Sequence, residues 1–166
     1  FGDEAQYWLW SKSLEFGYYS KPPLLSWIIG LTTFVFGDSF EVIKLIPITS
    51  YLITPFVIFF ISKELYKDTK LSIFCALSFY LIPAVSISSF LLSTDVVLIL
   101  FWSLCLLFTL KIRQSPKFIN FVLLGIFLGL AFLSKYAAVY FIFCLILIVF
   151  LDKRLKNIFF IKKVNV

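Results

Sequence analysis

The sequence predicts an all-α, polytopic transmembrane protein, and three observations carry that prediction. Of its 166 residues, 61% are hydrophobic and only 14% charged, with a mean hydropathy of +1.02; a typical soluble domain is about 25% charged. A core of this size cannot hide so much apolar surface, because small domains keep a large share of their surface in water. Apolar runs recur at close to the ~20 residues that a helix needs to cross about 30 Å of hydrocarbon. Lysine and arginine gather in alternate connections between those runs. A soluble enzyme is therefore excluded, and the net charge of +6 reads as basic cytoplasmic loops rather than a nucleic-acid surface.

Residues 1–41 read as an external loop in which aromatics mix with charges, Gly and Pro. A short helix is expected from Glu4 to Phe16, with Tyr7, Trp10 and Leu14 on one stripe and Gly17 stopping it. Pro22-Pro23 can open a second helix through Phe36, since proline is tolerated in a first turn, and Gly37 ends it. Two short helices rich in Trp and Tyr suit the membrane interface.

Residues 42–166 read as a transmembrane region of about five spans, near 42–61, 71–90, 96–110, 118–134 and 137–151. The last two come from one long run interrupted at Ser134-Lys135-Tyr136. Pro47, Pro55 and Pro83 fall inside spans, where neighbouring helices can satisfy the freed carbonyls. Gly125 and Gly129 form a GxxxG pair, a sign of close helix packing. Cys75, Cys105 and Cys144 all lie in apolar runs, which suits packing better than disulfides. With no His in the chain and no clustered Cys, the residues themselves give no metal site.

Topology follows from charge. One set of connections holds Lys63, Lys67 and Lys70, then Lys111, Arg113 and Lys117, then Lys153, Arg154, Lys156, Lys162 and Lys163. The positive-inside rule places them all in the cytoplasm. The opposite side receives residues 1–41, the Ser93-Thr94-Asp95 turn and the Ser134-Lys135-Tyr136 turn. Splitting 118–151 into two spans keeps the basic tail inside. The chain opens on Phe1 and contains no Met, so the expectation is a fragment of a longer protein, and a segment that begins outside the membrane calls for a transmembrane helix in front.

Charges at membrane depth are costly and tend to be functional. Asp3, Glu4, Lys21, Asp95 and Lys135 all fall on the non-cytoplasmic side. Each also has a plainer reading: Asp3 as a helix N-cap, Asp95 as an anion at a helix N-terminus, Lys135 as a snorkelling cation, Lys21 as an interfacial cation. Glu15, Asp38, Glu41 and Lys44 read as solvated or interfacial charges. Together the five suit a lipid-linked phosphate donor. Lysines would hold the phosphate as point charges, and a carboxylate would take the proton of an attacking hydroxyl. A non-enzymatic transporter or flippase for a lipid-linked saccharide is the alternative, because the same inventory would serve it.

The run Asp3-Glu4-Ala5-Gln6-Tyr7-Trp8, followed by Gly17-Tyr18-Tyr19-Ser20-Lys21-Pro22-Pro23-Leu24 and Phe36-Gly37, resembles the first external loop of one family. That family is the dolichyl-phosphate-mannose–protein mannosyltransferase-like membrane glycosyltransferases of the GT-C fold, whose bacterial members include lipid A aminoarabinose transferases. Thr94-Asp95 and the stretch Gly129-Leu130-Ala131-Phe132-Leu133-Ser134-Lys135-Tyr136 agree in order and spacing. The resemblance implies Asp3 as catalytic base, Glu4 as its neighbour orienting it or the acceptor, and Asp95 as the second acidic position. It implies Lys21 as a contact to the donor phosphate and Lys135 as a basic residue facing the same cavity, with Tyr19 joining them in the substrate-binding set. The implied reaction transfers one sugar from a polyprenyl-phosphate donor to a lipid (lipopolysaccharide or lipid A type) or protein acceptor, typically with inversion. It would take place at the periplasmic face of the bacterial inner membrane. Some relatives use a divalent metal, which leaves that cofactor open here; no nucleic acid is implied. The family's members are several hundred residues long, so this segment alone is expected to be inactive.

Overall fold

The computed structural model describes residues 2–160, which form nine α-helices and one short 3₁₀ turn, with no strand among them. Helix α1 (Gly2–Trp10) carries Asp3 and Glu4 in its first turn. It ends well before Phe16, where the sequence placed its stop. The following loop offers its backbone other partners. The Tyr18 hydroxyl lies 2.8 Å from the Trp10 carbonyl oxygen and 2.9 Å from that of Ser13, and Trp27 Nε1 donates to the Glu15 carbonyl at 2.8 Å. Tyr18 also stacks on Trp10 with ring centroids 4.8 Å apart. The loop thus folds back onto helix α2 (Leu24–Phe36), which begins directly after Pro23 as expected. Gly30 permits the crossing: a Cβ there would stand 3.1 Å from Leu14 Cδ2 and 3.3 Å from the Ser11 carbonyl oxygen.

Gly37, at φ +93° and ψ 156°, closes α2. This is a conformation that essentially only glycine adopts. Ser39 then caps helix α3 (Phe40–Tyr66), accepting from the Val42 N–H at 3.3 Å. Its 27 residues span about 40 Å at 1.5 Å per residue. Pro47 and Pro55 lie buried inside α3 without ending it. Lys67, left-handed at φ 57°, and the Asp68 N-cap turn the chain into α4 (Thr69–Tyr80).

The expected span at 71–90 is not one helix. Pro83 opens a separate six-residue helix, α5 (Pro83–Ser88), and Ile82 before it is extended at ψ 117°. A residue preceding proline is pushed out of the helical region by the pyrrolidine ring. Pro83 therefore breaks its span while Pro47 and Pro55 do not. Helix α6 (Thr94–Gln114) is long and apolar enough to cross a membrane, as is α3. Helix α7 (Phe118–Ser134) stops where the sequence placed the interruption. Lys135 is extended, a 3₁₀ turn covers Tyr136–Ala138, and α8 (Val139–Leu151) follows. Asp152 then bends the chain by 101° into α9 (Lys153–Phe160). By length alone, two helices can span, or three if the bent α8–α9 pair is counted as one; α4 and α7 are shorter apolar helices.

Helix α6 is the axis of the bundle and packs against both α3 and α7, while α3 packs against α4. At one end, Tyr7, Leu25, Ile29, Ile46, Leu92 and Val97 join α1, α2, α3 and the start of α6 in one buried cluster. At the other end, Cys105, Ile112, Leu124, Phe141 and Leu155 join α6 through α9. Large apolar side chains such as Phe56, Phe74 and Leu147 remain exposed, as suits a lipid-facing surface. Gly125 and Gly129 face open space, so the expected GxxxG contact is not made among the described residues. The α7 contact with α6 runs instead through Leu124 and Ala131. All three cysteines are free thiols, with Cys105 fully buried.

Candidate functional site

The end of the bundle that holds α1 gathers the charged residues. Asp95 sits in the first turn of α6, and Lys135 just past the last turn of α7. Their side chains meet, with Lys135 Nζ 2.6 Å from Asp95 Oδ1 in a partly exposed ion pair. Forty residues separate them in sequence, and the packing of α7 on α6 closes that gap.

Beside this pair lies Tyr7, only 3% exposed. Burial pushes its phenol above the ordinary value. The negative charge of Asp3 and, less strongly, that of Asp95 push the same way, while the Thr94 hydroxyl and the Lys135 ammonium oppose them without prevailing. Asp3, Asp95 and Lys135 thus all act on one buried hydroxyl, which stays protonated at neutral pH. Asp3 itself is exposed and, among the described residues, makes no hydrogen bond or ion pair. Nothing in the sequence marked Tyr7 beyond its aromatic stripe. Its position four residues after Asp3, on the same helical face, was the available signal.

Glu4 points elsewhere. It accepts from Lys44 Nζ at 2.5 Å and from the Leu92 N–H at 2.8 Å, and Lys44 also donates to the Phe90 carbonyl at 2.7 Å. The Glu4 and Lys44 side chains are only 12% and 19% exposed. Burial would raise the Glu4 carboxyl, but the Lys44 ammonium and the Leu92 N–H together outweigh it and hold the group below the ordinary carboxylate range. Lys44 is therefore no solvated charge, which excludes the first of the two readings, solvated or interfacial, that the sequence offered. Its setting between Val42-Ile43 and Leu45-Ile46 was the clue.

Asp38 is likewise engaged, accepting from Trp8 Nε1 at 2.8 Å and from the Lys12 ammonium. These two donors hold its carboxyl below the usual range. A cavity of about 370 Å³ lies between α1 and the start of α3, lined by Glu4, Trp8, Asp38, Phe40 and Lys44 among others. It does not include Asp3, Asp95 or Lys135.

Lys21 is half-buried three residues before Leu24, whose side chain packs in the same cluster as Tyr7. Among the described residues its ammonium makes no ion pair. Tyr19 is fully exposed. Lys21 and Tyr19 are near the Tyr7 end through the chain, but no contact ties them to the Asp95–Lys135 pair. The described residues hold no group of three or more carboxylates or thiols able to bind a metal.

Residues 20–164 match the family model for dolichyl-phosphate-mannose-protein mannosyltransferase. The chain belongs to that family. The match covers Lys21, Asp95 and Lys135, and begins after Asp3, Glu4 and Tyr19. The chain is also 33% identical over 141 residues to a protein of Rhizobium johnstonii, lipid A galacturonosyltransferase RgtD, a stretch that is 84% of this chain and 30% of that protein. The segment thus spans about a third or less of that relative's length. No solved structure matches it. The family match and the apolar helices together make this a membrane protein of that family.

Proposed function

We propose that this chain is the donor-side portion of a membrane glycosyltransferase. It would move one sugar from a polyprenyl-phosphate carrier to a lipid A-type acceptor, at the periplasmic face of a bacterial inner membrane. The observation that carries the reading is the Asp95–Lys135 ion pair at the end of the bundle that also holds Asp3 and the buried Tyr7, in a chain of this family. The acceptor class follows the name of the Rhizobium relative. Its family favours transfer over the transport of a lipid-linked saccharide.

In the proposed step, the exposed Asp3 carboxylate takes the proton of an acceptor hydroxyl as that oxygen attacks the anomeric carbon. A new C–O bond forms as the anomeric C–O bond to phosphate breaks. The electron pair leaves with the polyprenyl phosphate, and the configuration inverts. Lys21, which has no ion partner among the described residues, meets the phosphate charge. The Asp95–Lys135 pair and the protonated Tyr7 shape the wall against which the donor sits. Glu4 orients Asp3 by anchoring α1.

The test is Asp3→Asn in the full-length enzyme, assayed with a radiolabelled polyprenyl-phosphate sugar. Transfer should fall to background with normal membrane insertion. Unchanged turnover would remove Asp3 from the mechanism.

A further inference from the structure

The far end of the bundle carries a second feature, unrelated to the transfer site. After α8, the chain bends by 101°, so that α9 runs across the end of α6 rather than onward. The bend is fixed from several sides. Asp152 Oδ1 accepts from the Arg154 and Leu155 N–H groups, both at 2.9 Å. Its Oδ2 receives Arg113 Nε at 2.7 Å, and Arg154 Nη2 donates to the Gln114 carbonyl, at the C-terminus of α6, at 2.9 Å. Leu155 and Ile158 bury the inner face of α9.

Inside the elbow is an apolar crevice of about 240 Å³, lined by Leu145, Ile146, Val149, Phe150, Phe159 and Phe160. Phe159 and Phe160 are held there by ring contacts with Phe121 and Phe150. On α9, Lys156 precedes Phe159 and Phe160 by three and four residues, and Lys153 precedes Phe160 by two turns. These lysines therefore share the face of the phenylalanines that line the crevice. Both are exposed. Arg113, Asp152 and Arg154 are already committed to one another and to the α6 terminus, whereas Lys153 and Lys156 make no ion pair among the described residues.

We propose that the α8–α9 elbow binds an anionic phospholipid of the surrounding bilayer. One acyl chain lies in the crevice, and the headgroup phosphate is held by Lys153 and Lys156. Charge complementarity selects this occupant. A helix lying in the membrane plane places its cations at phosphate depth, and an apolar slot directly beside unpaired lysines matches a molecule with a charged head and a hydrocarbon tail. Each lysine near an anionic surface contributes roughly a fivefold gain in affinity.

The full chain, reconstituted in vesicles of equal parts phosphatidylcholine and phosphatidylglycerol, can be extracted gently and its bound lipids counted by native mass spectrometry. Retention of phosphatidylglycerol over phosphatidylcholine is expected. Lys153→Gln with Lys156→Gln should abolish that preference, lowering retained phosphatidylglycerol by about twenty-fivefold. Ile146→Trp, which fills the crevice from an exposed position, should reduce retention of both lipids with the lysines intact. Soluble glycerol phosphate should not compete, since it lacks a chain. Equal retention of the two lipids by the wild type would overturn the proposal. So would lipid counts unchanged in both variants, the result if another part of the chain filled the elbow.

Discussion

Glu4 accepts hydrogen bonds from Lys44 and from the Leu92 N–H, so the first turn of α1 is tied at once to α3 and to the segment that enters α6. Replacing Lys44 by Met removes the donor to the Phe90 carbonyl and one cation from the Glu4 carboxylate. Losing a hydrogen bond to a partly buried charged group costs about 1–3 kcal/mol. Amides of Gly2–Trp10 should therefore exchange roughly five- to hundredfold faster, as measured by hydrogen exchange, while those of α6 stay protected. The depressed Glu4 carboxyl also fixes the direction of the pH dependence. A carboxylate whose folded value lies below its unfolded one stabilises at higher pH and loses that contribution as pH falls through the folded value. The emission of Trp8 and Trp10 should hold steady from neutral pH down to the ordinary carboxylate range and change only below it. Glu4→Gln should flatten that transition.

The turns between helices place the functional elements, and α2 carries two tests of this. Gly37 joins α2 to α3 at φ +93°, so Gly37→Ala should cost about 1–3 kcal/mol through backbone strain, read as a lowered unfolding midpoint in detergent. Ser26, in the first turn of α2, buries an Oγ that finds no partner among the described residues. Ser26→Ala removes an unmet polar group rather than a bond, so the same measurement should show a neutral or slightly raised midpoint. The fate of the prolines shows why element boundaries were only partly legible. Pro47 and Pro55 lie in an α3 buried against α4 and α6, where packing holds the helix through the missing donors. Pro83 stands in the exposed stretch Leu81–Ala84, where nothing holds it. Residue identity is the same in all three cases, and only the neighbours differ.

At the scale of the molecule, the charges sort to two ends of the bundle. Asp3, Glu4, Lys44, Asp95 and Lys135 lie at one, and Glu64, Lys67, Arg113, Asp152 and Arg154 at the other. The positive-inside rule predicts the first group outside. In a chain lacking Cys75 and Cys144, with Cys105 buried, a cysteine near Lys21 should be labelled by an impermeant reagent from outside, and one near Arg113 should not. The reverse pattern would sink the orientation on which the transfer site depends. The family match is silent on this point, since it reports sequence likeness over 20–164 and carries no sidedness.

The sequence by itself determined that this is an all-helical membrane protein, where the long apolar run breaks, and which charges border or interrupt the apolar runs. Those facts follow from local composition: an apolar helix must leave water, and a lone charge within it must be accounted for. Tertiary structure alone decided the partnerships. Asp95 meets Lys135 because α7 packs on α6, and Glu4 meets Lys44 because α1 folds against the head of α3. Tyr7 passes from one ring of an aromatic stripe to the buried hydroxyl facing three charges. Pairings across forty or more residues depend on how helices cross, and crossing is set by the shapes of whole faces in contact, which no single stretch of sequence contains.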